Sequence, residues 1–321
     1  MRARRRGRDW GLVGVLVALA AGMAAASPHF LTAENLLGLS RHLTEAGIIA
    51  CGMTVVIASG GIDLSVGSLF GLAGVAFGYA WQGGAGLAPA ALVGLAVGAA
   101  GGALNGWLTA AWRLPPLIVT LATMALYRGL AMVASRAQPV SGLPSSFTWL
   151  GQGDLVGLPV QLWVWGAAVL ATAAVIGHTP AGRYVRAIGD GERAAAFAGV
   201  AVDRVKLWVY SASGLLSAAA ALIFTARVST ARADAGLGLE LEAITAVVLG
   251  GTAITGGRAN PGGSLLGVLI LGVIRNGFTL AGVSTVWQSM LAGAILVATA
   301  ILNQRLAERP SPEGTGPPAA P

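Results

Sequence analysis

The chain has 321 residues, of which 55% are hydrophobic and only 10% are charged. A soluble domain carries about 25% charged residues, so this composition argues against a soluble domain and indicates a protein that crosses a membrane several times. The formal net charge is +7, but basic residues beside apolar segments usually report membrane orientation, so we do not expect nucleic-acid binding.

Apolar segments recur along almost the whole chain. A helix that crosses a bilayer needs about 20 mostly apolar residues, although broken spans can be shorter. The sequence therefore predicts an all-α, polytopic membrane helical bundle of about ten transmembrane segments, including broken or re-entrant ones. The segments are 10–30, 45–59, 64–81, 86–109, 115–134, 160–178, 207–226, 241–256, 263–282 and 285–303. The first is interpreted as an uncleaved span rather than a signal peptide, because many more spans follow it.

The chain divides into three predicted regions. Residues 1–9 form a basic cytoplasmic N-terminus, 10–303 the transmembrane domain, and 304–321 a Pro-rich, disordered cytoplasmic tail. Within the transmembrane domain, the Pro, Gly and Ser residues of 135–159 indicate an external loop. The segment 241–256 is short and Gly-rich, and it is a candidate for a re-entrant segment.

The basic residues test this arrangement. If the N-terminus is cytoplasmic, 14 of the 20 Lys and Arg residues fall on the cytoplasmic side, 4 on the opposite side, and 2, Arg128 and Arg275, within spans. The positive-inside rule then predicts an inner-membrane, multi-pass protein with both termini in the cytoplasm. For Arg128 and Arg275 two interpretations stay open: an ion pair or polar lining, and snorkelling to an interface.

The most charged stretch between two apolar segments is 179–206, which this orientation places in the cytoplasm. Within it we predict a short helix, Glu192 to Ala198, with Asp190 as its cap and Gly199 at its end. Such a helix is too short and polar to cross a bilayer. The stretch is therefore either a surface on which a separate motor protein acts or a solvated loop between two spans.

Two glycine-rich stretches lie between apolar segments. The first, 59–68, reads SGGIDLSVGS, and its adjacent glycines break a helix while Asp63 and Ser65 can cap the next one. The second, 246–258, reads AVVLGGTAITGGR and suits either a mobile gate or close helix packing. The candidate pathway or gate residues are Gly60, Gly61, Asp63, Ser65, Asn105, Gly250, Gly251 and Asn276. For Asp63 a plain capped turn is the competing interpretation, and for the two asparagines it is hydrogen bonding between helices.

The sequence carries none of the usual enzyme signals. There is no GxxxxGK[ST] loop, so ATP hydrolysis by this chain is not expected. His29, His42 and His178 have no metal-ligand spacing, and Cys51 is the single cysteine, which excludes an intrachain disulfide. We therefore predict no catalytic residue, no metal and no cofactor.

Four stretches, 52–68, 113–131, 179–200 and 241–258, resemble the permease subunits of bacterial ATP-binding-cassette (ABC) importers for simple sugars, of the ribose and rhamnose type. The resemblance covers about residues 35–303. It implies a binding-protein-dependent importer that works by alternating access. It also implies four kinds of partner: a separate ABC ATPase subunit, a periplasmic or lipid-anchored sugar-binding protein, a second permease subunit of the same or a sister chain, and membrane lipid.

The resemblance further implies that 182–199 is the element that couples the permease to the ATPase. The coupling candidates are Gly182, Arg183, Arg186, Gly189, Asp190, Arg193 and Ala195. Three alternatives stay open: a branched-chain amino acid ABC permease, a self-powered secondary sugar carrier, and a membrane enzyme. The sugar is also open, among ribose, rhamnose, xylose, galactose and a furanosyl signalling molecule.

Overall fold

A computed structural model of the chain describes residues 2–284 and, beyond them, residues 287, 288, 290, 293–295, 297–299 and 301. Side chains are described from residue 7 onward. The helices are α1 (Arg2–Ala26), α2 (Ala33–Ala58), α3 (Val66–Gln82), α4 (Leu87–Ala111), α5 (Pro116–Ser135), α6 (Ser145–Gln152), α7 (Val160–His178), α8 (Pro180–Asp190), α9 (Glu192–Phe197), α10 (Val202–Val228), α11 (Leu239–Leu249) and α12 (Pro261–Leu280). Between α6 and α7, β1 (Asp154–Leu155) and β2 (Leu158–Pro159) pair antiparallel.

The predicted all-α membrane bundle is confirmed. Within the described part of the chain, seven helices are long and apolar enough to cross a membrane: α1, α2, α4, α5, α7, α10 and α12. The helices α3 and α11 are shorter, with 17 and 11 residues. The number of ten spans stays a prediction, because the segment 285–303 is described only in part. The division into 1–9, 10–303 and 304–321 also stays a prediction.

Two predicted spans have wrong limits. The span placed at 45–59 belongs to a helix that begins twelve residues earlier, at Ala33, where the Thr32 hydroxyl accepts a hydrogen bond of 3.3 Å from the Asn35 N–H. The span placed at 241–256 ends at Leu249, because Gly251 turns the chain with a φ of +84°. Residues 250–260 therefore form a loop between α11 and α12.

The segment 135–159, which is predicted to be external, is more ordered than its composition indicates. It contains α6 and the β1–β2 hairpin, so its interpretation as a plain loop is wrong in part. The ring of Phe147 in α6 is buried and lies 4.5 Å from the ring of Phe77 in α3. Burial of one aromatic ring stabilises this short helix against the bundle, and periodicity over eight residues could not show it.

Helices α4 and α10 pack with their backbones in contact. Four glycines of α4, spaced four residues apart, form one stripe: Gly94, Gly98, Gly102 and Gly106. A Cβ atom on Gly98 would lie 2.5 Å from the carbonyl oxygen of Gly214, and one on Gly106 would lie 2.7 Å from the Cα of Leu207. Small residues at such spacing let two helices approach closely in a membrane, and this stripe fixes α10 against α4.

Replacing Gly102 with leucine is expected to lower the melting temperature of the detergent-solubilised protein by about 5 °C, because its Cβ would overlap the carbonyl of Tyr210. Thermal unfolding followed by tryptophan fluorescence measures the effect. Gly129→Leu in α5 is the matched control, since no atom lies within 4 Å of a Cβ at Gly129. Equal melting temperatures for the two variants would contradict close α4–α10 packing.

Candidate functional site

Helices α8 and α9 form a polar pair between the long helices α7 and α10. The hydroxyl of Thr179 accepts a hydrogen bond of 3.2 Å from the Gly182 N–H, and Pro180 is the first residue of α8. A threonine cap followed by proline is a usual helix start, and this pair of residues was the signal in the sequence that could have located α8. The stretch 179–206 therefore contains two short helices, α8 and α9, and the first residues of α10.

The predicted short helix exists as α9 and begins at Glu192 as predicted, but the predicted cap residue is wrong. Asp190 is the last residue of α8, and Gly191 occupies the N-cap position of α9 without a side-chain cap. The predicted end is confirmed: Gly199 has a φ of +83°, and the Val200 N–H donates to the Ala195 carbonyl at 3.0 Å. This is the geometry in which a left-handed glycine closes a helix.

Three of the coupling candidates face the bundle. A Cβ atom on Gly182 would overlap the carbonyl of Val175 in α7, and one on Gly189 would overlap the carbonyl of Ala58 at the end of α2. Ala195 is buried in a small apolar cluster at the base of α9. These three residues fasten α8 and α9 to the long helices.

The charged coupling candidates are more exposed, although the Asp190 carboxylate also packs against Gly257 of the loop 250–260. Arg183, Asp190 and Arg193 are exposed, and Arg186 is half-buried. Phe197, which is not among the candidates predicted from the sequence, is 93% exposed at the end of α9. An exposed aromatic residue close in sequence to arginines is typical of a protein–protein interface. The signal available in the sequence was the single aromatic residue at the end of a short helix of Glu, Arg and Ala.

One ion pair holds α9 in place on α10. The Lys206 ammonium lies 2.7 Å from a carboxylate oxygen of Glu192, and the Lys206 side chain is only 10% exposed. A partly buried pair of this kind restricts α9 more than an exposed pair would. This ion pair between α9 and α10 therefore helps to fix the orientation of the α8–α9 surface.

Asp63 lies at the centre of a second polar group, in the turn between α2 and α3. Its side chain is completely buried. One carboxylate oxygen accepts hydrogen bonds from the Ser65 N–H (2.9 Å) and the Ser65 hydroxyl (2.6 Å), and the other accepts from the Ser213 hydroxyl (3.3 Å). The Asn105 amide in turn donates to the Ser65 hydroxyl at 2.7 Å. The group joins the turn to α4 and α10.

Ser65 is the N-cap residue of α3, as predicted, but the expected cap by side-chain hydrogen bonds of Asp63 or Ser65 is wrong. Helix α3 begins at Val66, and Ser65 makes no side-chain cap, because its hydroxyl donates to Asp63 instead. Asp63 binds the N–H two residues ahead, as in an Asx turn. None of the ion pairs among the described residues includes Asp63.

The loop 250–260 is attached to the first helix. The Arg8 guanidinium donates to the Gly251 carbonyl at 2.5 Å. The Asn260 amide donates to the Asp9 carboxylate at 2.7 Å and to the Gly250 carbonyl at 3.1 Å. A Cβ on Gly250 would also overlap the backbone of α12. These contacts show a closely packed loop, and movement of Gly250 and Gly251 as a gate stays a prediction.

The two intramembrane arginines are both bound by other helices or segments. Arg275 lies 2.9 Å from Glu242 in an ion pair between α12 and α11. Arg128 donates to the carbonyls of Ala233 and Ala235, in the segment before α11, and to that of Gly67 in α3. Arg128 is thus a half-buried residue that lines the bundle with backbone carbonyls, whereas the Arg275 side chain is 57% exposed and its ion pair lies at the bundle surface.

The candidate pathway residues do not form one site. Gly60, Gly61, Asp63, Ser65 and Asn105 gather at and beyond the carboxyl end of α2. Asn276 instead exchanges two hydrogen bonds with Asn35, of 2.8 and 3.0 Å, in the first turn of α2. Helix α2 has 26 residues, a length of about 39 Å, so Asn276 is far from the others. Within the described residues, no group of three or more His, Cys, Asp or Glu side chains could hold a metal ion.

Comparison with known proteins decides the family. Residues 35–300 match the family described as branched-chain amino acid transport system / permease component. The chain belongs to this permease family. It is 41% identical to the ribose import permease protein RbsC of Escherichia coli strain K12, over 91% of each chain. It is 39% identical to RbsC of Bacillus subtilis strain 168, over 87% of each chain, and 35% identical to the autoinducer 2 import system permease protein LsrD of Escherichia coli strain SMS-3-5, over 92% of each chain. The resemblance to ABC importer permeases is thus confirmed, and this family member is a membrane transport subunit rather than an enzyme.

Proposed function

We propose that the chain is the membrane-spanning permease subunit of an ATP-driven, binding-protein-dependent importer of a monosaccharide or a furanosyl signalling molecule. ATP hydrolysis takes place on a separate ABC ATPase subunit. A periplasmic or lipid-anchored binding protein delivers the substrate, and a second permease subunit completes the pathway. Identity of 41% over 91% of the chain with a ribose import permease carries this proposal.

The substrate class follows from the relatives rather than from a binding cavity. The named relatives import ribose and autoinducer 2, whereas the family description names branched-chain amino acids. The individual relatives are the more specific guide, because their identity extends over about nine-tenths of each chain. We therefore place this chain with sugar import and keep the amino acid as the alternative that an uptake assay must exclude.

The orientation supports α8 and α9 as the docking surface for the ATPase. With 14 basic residues on one side and 4 on the other, the positive-inside rule supports a cytoplasmic location of α8, α9 and both chain termini. Arg183, Arg193 and Phe197 are exposed there. Gly182 and Gly189 pack against the long helices, so a force applied to α8 reaches the membrane segments.

The transport step is alternating access. ATP binding closes the ATPase pair, which displaces α8 and α9, and the bundle changes between outward and inward openings. The ATPase shifts this equilibrium because it binds the outward-open and inward-open conformations of the permease with different affinity. Selection of the sugar rests mainly with the binding protein, so the permease needs only a weakly polar pathway.

Purification of the tagged chain from gently solubilised native membranes tests the proposal. We expect an ABC ATPase and a second permease subunit to co-purify, and the complex in vesicles to take up radiolabelled ribose or a related sugar when ATP and the binding protein are present. Leucine in place of the sugar is the control for the amino acid alternative. A chain that purifies alone and still transports would show a self-powered carrier and contradict the proposal.

A further inference from the structure

Three segments that are far apart in the sequence meet at the carboxyl end of α8. They carry Gly189 of α8, Gly60 of the α2–α3 turn, and Gly256 and Gly257 of the α11–α12 loop. We refer to these four glycines as the glycine junction. A Cβ atom on Gly256 would lie 2.9 Å from the Cα atoms of both Gly60 and Gly189. The three backbones are therefore in direct contact.

A hydrogen bond and the backbone angles fix this contact. The Gly257 N–H donates to the carbonyl of Ala58, the last residue of α2, at 3.0 Å. The φ angles of Gly60, Gly256 and Gly257 are +83°, +91° and +77°, a conformation that side chains disfavour. A Cβ on Gly189 would overlap both the Ala58 carbonyl and the Gly257 N–H. Gly60, Gly189 and Gly256 meet backbone to backbone, and the Asp190 carboxylate packs against Gly257, where an added Cβ would overlap it. Because close-packed backbones transmit displacement, movement of one segment displaces the others.

The α2–α3 turn connects the glycine junction to one set of helices through hydrogen bonds. Beyond Gly60, the Ile62 carbonyl accepts a hydrogen bond of 3.0 Å from Thr120 in α5. One residue further, Asp63 is joined to α10 by Ser213 and, through Ser65, to α4. Movement of the turn thus reaches α3, α4, α5 and α10.

The α11–α12 loop connects the glycine junction to α1, α11 and α12. Its glycines follow α11, and its last residues lead into α12. Hydrogen bonds from Arg8 to Gly251 and from Asn260 to Asp9 attach the loop to α1. The carboxyl end of α8 is therefore in contact with the two irregular segments that hold most of the bundle.

We propose that the glycine junction transmits the movement of α8 to the α2–α3 turn and the α11–α12 loop as one rigid unit, which makes Gly189 a positioning residue for transport. The inference rests on the proposed function, since the movement is the one that the ATPase imposes. It goes further in naming the route from the docking surface into the membrane.

A pair of alanine variants in the same segment tests the route. Gly189→Ala is expected to lower the sugar taken up per ATP hydrolysed by about tenfold or more, with the amount of bound ATPase unchanged, because a small displacement at a distance can have a large effect on rate. Gly191→Ala is the matched control: its Cβ would lie 3.7 Å from the nearest atom, in ordinary contact, and is expected to leave the ratio unchanged. The readouts are ATPase recovered on affinity resin, ATP hydrolysis and uptake in the same vesicles.

Two results would overturn the inference. One is a normal ratio of uptake to hydrolysis in Gly189→Ala. The other is loss of bound ATPase in that variant, which would show that Gly189 shapes the docking surface itself. If the unaltered chain binds no ATPase, the proposed function fails first, so the two failures are distinguishable.

A distance measurement keeps the inference testable if Gly189→Ala does not fold. Spin labels at Ala194→Cys and Thr255→Cys, both exposed, report the separation of α9 and the loop, with the buried Cys51 replaced by alanine. We expect the same separation in nucleotide-free and ATP-bound complexes, since the junction moves as one unit. A separation that changes with ATP would overturn the inference.

Discussion

Replacing Asp63 with alanine is expected to abolish uptake and to lower the melting temperature of the solubilised protein by about 10 °C. The carboxylate accepts three hydrogen bonds, from the Ser65 N–H, the Ser65 hydroxyl and the Ser213 hydroxyl. Its removal leaves these donors without their acceptor in a completely buried position, at a cost of about 1–3 kcal/mol for each donor. The α2–α3 turn would then lose its attachment to α4 and α10.

Two further variants separate the causes of this effect. Asp63→Asn keeps one oxygen acceptor, so we expect it to retain more stability than the alanine variant. Asp154→Ala removes a half-exposed carboxylate that pairs with Arg41 at 3.2 Å, and we expect almost no change in melting temperature. Unaltered uptake and melting temperature in Asp63→Ala would refute the structural role of this carboxylate.

Replacing Arg193 with glutamate is expected to leave the protein inserted and folded but to reduce ATP-driven uptake by about tenfold or more, together with the recovery of ATPase on affinity resin. Arg193 is exposed on α9, near Phe197 in the sequence, and it takes part in none of the ion pairs among the described residues. Reversal of its charge places repulsion at the docking surface without disturbing the core. Uptake in vesicles and co-purification of the ATPase measure the effect.

The matched control is Arg136→Glu, the same change at an exposed arginine that follows α5 at the opposite end of the bundle from α8. We expect normal ATPase recovery and normal uptake from this variant. A normal result from Arg193→Glu as well would argue strongly against the coupling role of α9. Weaker ATPase recovery from both variants would indicate a general effect of net charge instead.

Properties that depend on short stretches of sequence were predicted correctly. The membrane class, most of the long helices and the polar segment between α7 and α10 follow from apolar length and charge, which each segment carries by itself. The end of α9 at Gly199 was predicted because glycine favours the left-handed conformation wherever it closes a helix. The family follows from four stretches whose order and composition are specific.

The errors arose where contacts between distant residues decide the structure. Aspartate is a common N-cap residue, but Asp190 is the last residue of α8, and the chain turns after it at Gly191. Asp63 and Ser65 are also of residue types that commonly cap helices. The Ser65 hydroxyl instead donates a hydrogen bond to Asp63, and the same carboxylate accepts one from Ser213, which is 150 residues away in the chain. Local preference predicted the residue types at these turns, and tertiary hydrogen bonds determined what they do.

The sequence by itself determined that this protein spans a membrane, that a polar stretch separates the apolar segments 160–178 and 207–226, and that glycines break the chain at 60–61. Only the tertiary structure decided that Gly60, Gly189 and Gly256 touch one another. A glycine carries no side chain whose polarity or periodicity could indicate a distant partner, because its contribution is the space that it leaves for another backbone. Another backbone occupies that space only when α2, α8 and the α11–α12 loop are brought together in the folded bundle.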